Sequence, residues 1–340
     1  MTRQRLLRAG LAAAACLLAS LAPLTARAAA DRLRILVAGL DKQIYLPVVL
    51  ADRLGYFKDQ GLDVELLSEP AGMQAEDALL AGAVQGVVGF YDHAISLQAR
   101  GKFVHSVVQL SQAPGEAQLV ATRHAGAIRS PADFGGRRLG VTGLGSSTQF
   151  LSAYLGVLHG VRQADMVMVA AGSGERFIQA LQQGKIDAGI STEPTVSRLL
   201  KAGEARLLVD LRTPLATQAA LGGPYPAACL YMSTQWTSSH PAQAQKLANA
   251  LVGALRFIHA RSAEQIADQL PAALFGGDRA LYVEALQASL GQFTPDGLMP
   301  PAGPATVLRV LQAVDRALQG KTIDLARTHT SRFVLAVPPR

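Results

Sequence analysis

The sequence RLGVTGLGSSTQFLSAYLGVLH, residues 138–159, joins three local patterns. It begins with a short apolar run of strand character, which residues 143–148 (GLGSST) interrupt with two glycines and three hydroxyl side chains. Apolar residues at helical spacing then continue to residue 159. A strand, a tight turn and a helix in this order are the repeating unit of an α/β protein.

The same order repeats along most of the chain. Strands are predicted at 33–38, 63–68, 86–90, 104–110, 118–122, 138–142, 166–170, 188–191 and 206–211, and helices at 46–54, 74–81, 94–100, 148–159, 176–183 and 195–201. After Pro241 only helices are predicted, at 242–261, 263–270, 279–291 and 305–320. Strands that alternate with helices indicate βαβ units and mainly parallel sheets.

The number of elements is typical of two lobes rather than one. Two breaks that contain glycine and proline, at 112–116 and 222–226, divide the pattern. We therefore expect a discontinuous first lobe of residues 31–112 plus 224–340, with a helical C-terminal part. The second lobe is expected to consist of residues 113–223.

The composition excludes several classes of protein. The chain has 340 residues, of which 49% are hydrophobic and 17% charged, so disorder is excluded and a large core is expected. The net charge of +7 comes largely from four arginines among residues 1–28, without which 28 basic residues face 25 acidic ones. No cluster of lysine and arginine follows residue 30, as a nucleic-acid-binding surface would need.

The first 28 residues have the pattern of a secretory signal peptide. A basic start precedes an apolar run of 14 residues, 9–22, and Ala26-Arg27-Ala28 places small residues at the two positions that a signal peptidase recognises. The run is too short for a membrane span, which needs about 20 apolar residues. Lipid attachment at Cys16 is disfavoured because the apolar run continues past it. The prediction is therefore a Sec-type signal peptide and a periplasmic protein.

Sequence motifs for catalysis are missing. The glycine spacing of 140–147 resembles a phosphate-binding loop, but Ser146 stands where such a loop needs lysine. Neither GxSxG nor HExxH occurs, and the seven histidines have no metal-ligand spacing. Cys229 alone follows the predicted signal peptide, so it can form neither an internal disulfide nor a thiolate zinc site. The prediction is a protein that is not an enzyme and has no cofactor or metal.

The loop at 143–148 still has a physical use. A helix that begins near Thr148 would point free backbone N–H groups and the positive end of its dipole at Gly145, Ser146 and Ser147. This arrangement suits a small oxyanion such as a carboxylate, a sulfonate or nitrate. The alternative is that Ser146 or Ser147 only caps the helix.

Two further loops between a strand and a helix carry polar and aromatic residues. Gln43 and Tyr45 follow the first predicted strand, and Tyr91 and His93 follow the third, with Asp92 as a candidate helix cap. Ligands of α/β proteins bind at the carboxyl ends of the strands. The loops are therefore candidates for the walls of a binding cleft.

Longer motifs also occur along the chain: YLP (45–47), ADRLGYFKDQGLDVE (51–65), LLAG (79–82), GFYDH (89–93), DFGGRRLGVT (133–142), GSST (145–148), GKIDA (184–188), Glu193-Pro194, Gly222-Gly223 and Asp296-Gly297. Together they resemble the nitrate/sulfonate/taurine family of binding proteins of ABC importers, which includes binders of thiamine-pyrimidine precursors. They cover about residues 33–320 in consistent order.

The resemblance implies a type II periplasmic binding protein, with two Rossmann-like lobes joined by two crossover strands. It implies that the protein binds a small solute between its lobes, as a monomer, and delivers it to the transmembrane permease and ATPase of an ABC importer. Carried over to this chain, and including Gln43 of the first loop, the expected ligand-binding residues are Gln43, Tyr45, Tyr91, His93, Gly145, Ser146, Ser147, Thr148, Glu193 and Tyr225.

Three functions compete at this stage. The first is import of a sulfonate, taurine, nitrate or a related anion, or of an aromatic solute or pyrimidine that stacks on the tyrosines. The second is a sensory module that presents the same ligand to a receptor. The third is an enzyme similar to the fungal thiamine-pyrimidine synthases. Those enzymes use one of their own histidines together with an iron-linked cysteine cluster, and this sequence contains no such cluster.

Overall fold

The computed structural model describes residues 32–70 and 72–339. The predicted signal peptide lies outside these residues. Within them, no helix combines the length and the apolar character that crossing a membrane requires.

Ten strands and fourteen α-helices occur in the described residues. The strands are β1 Leu33–Val37, β2 Val64–Ser68, β3 Gly86–Phe90, β4 Val104–Gln109, β5 Glu116–Ala121, β6 Arg138–Val141, β7 Val167–Ala170, β8 Ala188–Thr192, β9 Ala205–Leu211 and β10 Ala228–Ser233. The helices are α1 Leu46–Arg53, α2 Tyr56–Asp59, α3 Gly72–Leu80, α4 Asp92–Ala99, α5 Ser147–Leu158, α6 Glu175–Gln182, α7 Thr195–Lys201, α8 Pro214–Leu221, α9 Thr234–Ser239, α10 Pro241–His259, α11 Ala263–Ala267, α12 Arg279–Ser289, α13 Gly303–Val314 and α14 Arg332–Leu335.

The strands form two mixed sheets of five strands each. The first sheet has the order β2-β1-β3-β10-β4, and the second has the order β7-β6-β8-β5-β9. In the first sheet β1 runs parallel to β2 and β3, whereas β10 runs antiparallel to β3 and β4. In the second sheet β6 is parallel to β7 and β8, and β5 is antiparallel to β8 and β9. The chain therefore leaves the first sheet after β4 and returns to it as β10.

The predicted pattern misses β10 and the short helices α2, α8, α9 and α14. β10 is a buried run, ACLYMS, in the middle of the first sheet. Its side chains are covered on both faces, so the alternation of apolar and polar residues that reveals a half-buried strand is missing. The two antiparallel insertions, β5 and β10, also make both sheets mixed.

The C-terminal helices are found, but some end earlier than predicted. The helix predicted at 305–320 ends at Val314, and Asp315 then caps a short 3₁₀ turn at Arg316–Leu318. The helix predicted at 263–270 ends at Ala267. In both cases apolar side chains continue past the helix end, so the periodicity alone does not mark the boundary.

Candidate ligand-binding site

A small cavity lies between the two sheets, where strands of both end. β1 and β3 of the first sheet and β6 and β8 of the second contribute their carboxyl ends or the loops that follow. Its interior space of about 20 Å³ accommodates little more than one water-sized group, so the walls nearly meet. The lining residues are Ala38, Lys42, Tyr45, Gly72, Phe90, His93, Glu116, Thr142, Ser146, Ser147, Thr148 and Thr192.

The wall on the side of the first sheet combines aromatic rings with a buried cation. The rings of Tyr45 and Phe90 meet edge to face, with centroids 6.4 Å apart. Lys42 Nζ lies 6.0 Å from the centre of the Tyr45 ring and donates hydrogen bonds to the carbonyls of Ala38 (2.6 Å) and Pro70 (3.0 Å). Phe90 lines the cavity and also belongs to the buried core.

The opposite wall is the start of α5, and its hydroxyl groups bond to one another. Thr148 Oγ1 lies 2.6 Å from Ser146 Oγ and accepts the backbone N–H of Thr142 at 2.9 Å. Ser146 Oγ donates to the carbonyl of Gly143 (2.6 Å) and accepts the N–H of Gln149. Ser146 thus caps the helix, as the alternative derived from the sequence proposed, and it also faces the cavity.

A buried hydrogen bond joins the two walls. Ser147 Oγ, on α5, donates to Asp92 Oδ1, on α4, at 2.8 Å, and the Tyr225 hydroxyl donates to Asp92 Oδ2 at 3.2 Å. Asp92 is the first residue of α4, and the helix cap is Tyr91 instead, so the expectation that Asp92 caps this helix is wrong. Burial raises the pKa of Asp92, and His93 and the two hydroxyl donors offset part of this increase.

Two charged side chains, Glu76 and Arg100, lie next to His93. His93 Nδ1 lies 3.1 Å from Glu76 Oε2, and Arg100 donates to Glu76 Oε1 at 3.0 Å. Burial lowers the pKa of His93, but Glu76 and Asp92 outweigh burial and raise it overall. Because α3, which carries Glu76, gives no signal for a buried carboxylate in its sequence, this partner could not be predicted.

Five of the ten predicted residues line the cavity: Tyr45, His93, Ser146, Ser147 and Thr148. Tyr225 reaches the cavity wall only through Asp92. The amide of Gln43 donates to the carbonyl of Tyr282 at 2.9 Å, and the Tyr91 hydroxyl bonds to Thr328. Neither Gln43 nor Tyr91 is among the lining residues, and contact with a ligand stays a prediction for all ten.

Glu193 and Gly145 have other roles in the structure. Glu193 Oε1 accepts a hydrogen bond from Arg212 at 2.8 Å, and Oε2 accepts the N–H of Ser197 at 2.9 Å. Gly145 has a φ of +80°, a left-handed backbone that favours glycine, and so it turns the chain into α5. Both are outside the cavity lining.

Seven of the twelve lining residues were not predicted, and two of these seven, Lys42 and Glu116, carry ionisable side chains. Lys42 immediately precedes the proposed Gln43 in the first loop, and Glu116 lies at the edge of a predicted break. In sequence both resemble exposed charges of a loop, yet Lys42 is 7% exposed and Glu116 is 2% exposed. Within residues 32–70 and 72–339, no group of three or more His, Cys, Asp or Glu side chains could hold a metal ion.

The bond between the walls leads to a first prediction. Replacing Ser147 by alanine is expected to reduce the free energy of unfolding by about 1.5 kcal/mol, because Asp92 loses a buried hydrogen-bond donor. Urea unfolding measures this loss. Ser238→Ala is the control, since its exposed hydroxyl bonds only within its own helix (2.8 Å) and its loss should leave stability within about 0.5 kcal/mol. Equal losses in both variants would contradict the stabilising role of this bond.

Comparisons with solved structures identify the fold. A protein of Bordetella bronchiseptica RB50 matches with a TM-score of 0.85 and 34% identity, over 89% of this chain and 96% of that chain. The alkanesulfonate-binding protein SsuA from Xanthomonas axonopodis pv. citri, bound to MOPS, matches with a TM-score of 0.67 and 20% identity, over 88% of this chain and 98% of that chain. The fold is that of a type II periplasmic binding protein, with two α/β lobes joined by two crossover segments.

Comparisons with curated proteins and with family models identify the family. The 4-amino-5-hydroxymethyl-2-methylpyrimidine phosphate synthase THI13 of Saccharomyces cerevisiae is 27% identical over 163 residues, which are 48% of this chain and 46% of the yeast protein. The match thus spans about half the length of the curated relatives. The family model described as NMT1/THI5 like matches residues 43–264. This chain belongs to the NMT1/THI5-like family.

Proposed function

We propose that this protein is an extracytoplasmic solute-binding protein, which captures a small solute between its two lobes and delivers it to the permease of an ABC importer. The observation that supports this proposal most directly is the buried polar cavity at the strand ends of both sheets. A cavity with walls from two lobes can open to admit a solute and close around it. The periplasmic location and the permease partner are parts of the same proposal.

The candidate solutes are small and polar. Sulfonates, taurine and nitrate are suggested by the sequence resemblance and by the start of α5 in the cavity wall. Aromatic acids and aminopyrimidines are suggested by the rings of Tyr45 and Phe90. The small space of the cavity favours compact members of each class unless the lobes separate further on binding.

Thermal unfolding of residues 29–340 with a panel of these solutes tests the proposal. A bound solute stabilises the folded state by RT ln(1 + [L]/Kd), about 2.7 kcal/mol at a hundredfold excess over Kd, so one class should raise the melting temperature by several degrees. Tyr45→Ala should abolish the rise because it removes a wall of the cavity, whereas Leu215→Ala, on the surface, should preserve it. A panel without any response would contradict the proposal.

A second candidate function comes from the names of the curated relatives, which are pyrimidine phosphate synthases. His93 lines the cavity, so it is the histidine of this chain that such chemistry could use. Intact-mass and metal analysis of the purified protein distinguish the two functions. Covalent loss of mass at His93, or tightly bound iron, would favour the enzyme, whereas an unchanged chain agrees with solute binding.

A sensory role would use the same cavity. It is distinguished by the membrane partner, because a receptor would replace the permease and the ATPase. Genes for a permease and an ATPase beside this one would favour import.

A further inference from the structure

Glu116 is the buried carboxylate of the cavity that is not satisfied by the protein. It is the first residue of β5, pairs with Thr192 and Leu211 along the backbone, and is 2% exposed. Its side chain lines the cavity, and its Oε2 is fully buried without a hydrogen-bond partner. A carboxylate oxygen that is buried without a hydrogen-bond partner carries a large desolvation penalty. A hydrogen-bond donor from a ligand would offset this penalty.

The charged groups around Glu116 do not supply that donor. Lys42 attracts Glu116 but does not donate a hydrogen bond to Glu116 Oε2, and two of its three N–H bonds go to backbone carbonyls, at 2.6 and 3.0 Å. Asp92 repels Glu116 and is itself satisfied by Ser147 and Tyr225. Burial raises the pKa of Glu116 well above its ordinary value, Lys42 offsets part of this rise, and Asp92 adds to it.

The pKa values of two nearby tyrosines, Tyr45 and Tyr225, are raised in part by the negative charges of Glu116 and Asp92. Burial is the main cause of the raised pKa of Tyr45 and of Tyr225, and both Glu116 and Asp92 contribute to it. An added anion would be repelled by Glu116 and Asp92 and attracted by Lys42, which also lines the cavity. A cation, or a neutral group that presents N–H donors, would be attracted to the Glu116 carboxylate.

The opposite wall gives an oxyanion fewer hydroxyl donors than its sequence indicates. Ser146 donates to a backbone carbonyl, Ser147 donates to Asp92, and Thr148 is bonded to Ser146 and Thr142. The hydroxyl groups of this wall are therefore committed inside the protein. The requirement that the protein leaves unmet at Glu116 is for a hydrogen-bond donor.

We infer that the cavity takes a compact solute with an N–H donor group of the amidine, guanidine or ammonium type, which the Glu116 carboxylate receives. The inference rests on the proposed solute-binding function and defines the charge of the solute for that site. Planar amidine-type groups present two parallel N–H bonds that match the two carboxylate oxygens. This geometry gives Glu116 the role of selecting the solute.

Two pairs of ions of similar shape test the charge preference directly. Guanidinium and nitrate are both planar and threefold, and acetamidinium and acetate have the same heavy-atom framework. Ions of four heavy atoms bind with Kd on the order of tens of micromolar at best, so calorimetric titration at millimolar concentrations of the chloride or sodium salts is appropriate. Guanidinium or acetamidinium should bind at least tenfold more tightly than its anionic counterpart.

Variants assign the preference to one carboxylate. Glu116→Gln should weaken binding of the preferred cation at least tenfold and leave the melting temperature of the free protein equal or higher, because it removes a buried charge. Glu204→Gln is the control: it removes one negative charge from an exposed site of the second lobe that bonds to Gln182. Glu116→Asp, which keeps the charge, should retain part of the binding.

The outcomes separate the inference from the function beneath it. Tighter binding of nitrate or acetate than of the cations overturns the inference and leaves the solute-binding function intact. Absence of binding by both cations, or equal binding by Glu116→Gln and the unmodified protein, also overturns it. The solute-binding function itself fails only when the wider thermal panel gives no response either.

Discussion

Replacing Arg212 by methionine is expected to lower the free energy of unfolding by about 3 kcal/mol, although Arg212 does not line the ligand cavity. Arg212 follows β9, where the chain leaves the second sheet, and donates to Glu193 at 2.8 Å. It also holds both oxygens of Asp210, at 2.8 Å each. Glu193 is 2% exposed, so methionine at position 212 leaves this buried carboxylate without its cation. An uncompensated buried charge strongly lowers the free energy of unfolding.

The same substitution should loosen the connection between the lobes. The backbone carbonyl of Glu193, in the second lobe, accepts the N–H of Gln43, in the first lobe, at 3.1 Å. Arg162→Met is the matched control, since it breaks a bidentate pair with Asp165 whose side chains are 81% and 40% exposed. That change should cost less than about 1 kcal/mol. Similar losses for the two variants in urea unfolding would contradict the importance of burial here.

Phe177→Ala is expected to reduce the free energy of unfolding by about 4 kcal/mol, the largest loss among these predictions. Phe177 lies on α6, is fully buried, and packs its ring on Gly140 of β6 and Gly189 of β8. A methyl group built on Gly189 would approach the ring to 2.9 Å and the carbonyl of Gly140 to 2.7 Å. The absence of a side chain at the two glycines gives this ring its space, and truncation to alanine would leave a cavity there.

The loss should extend to the ligand site. β6 and β8 lead to Thr142 and Thr192 in the cavity wall, so weaker packing beneath these strands should also reduce solute affinity. Leu215→Ala is the control, because Leu215 is 82% exposed and its truncation should change stability by less than about 0.5 kcal/mol. A loss below about 1 kcal/mol for Phe177→Ala, measured by urea unfolding, would refute the proposed packing.

The alternation of short strands with helices was sufficient to predict an α/β protein, whereas the type II fold was predicted from the resemblance, and the antiparallel pairings in each sheet were not predicted. The loops after β1, β3 and β6 were predicted to form the site, and each supplies residues to the cavity. The prediction works because parallel strands followed by helices place their loops at one edge of a sheet. A centrally inserted antiparallel strand such as β10 breaks this rule, because its partners are far away in sequence and it shows no alternation.

The side-chain network of the site could not be predicted in the same way. Glu76, Asp92 and Glu116 are ordinary acidic residues in sequence, and burial in the folded protein gives them their roles. The sequence suggested that Ser146 and Ser147 help to bind an oxyanion, but in the structure their hydroxyl groups donate to the carbonyl of Gly143 and to Asp92. The spacing of residues in the sequence indicates which side chains are near a cleft. Contacts between segments that are distant in sequence decide which of these side chains can still form hydrogen bonds with a ligand.

The most direct test of reversible solute binding is a calorimetric titration of residues 29–340 with the strongest solute of the panel, followed by mass analysis of the recovered solute. The account predicts one site per chain, a Kd that Tyr45→Ala weakens at least tenfold, and a solute that is recovered chemically unchanged. A solute recovered in altered form, or binding that Tyr45→Ala leaves intact, would contradict the account.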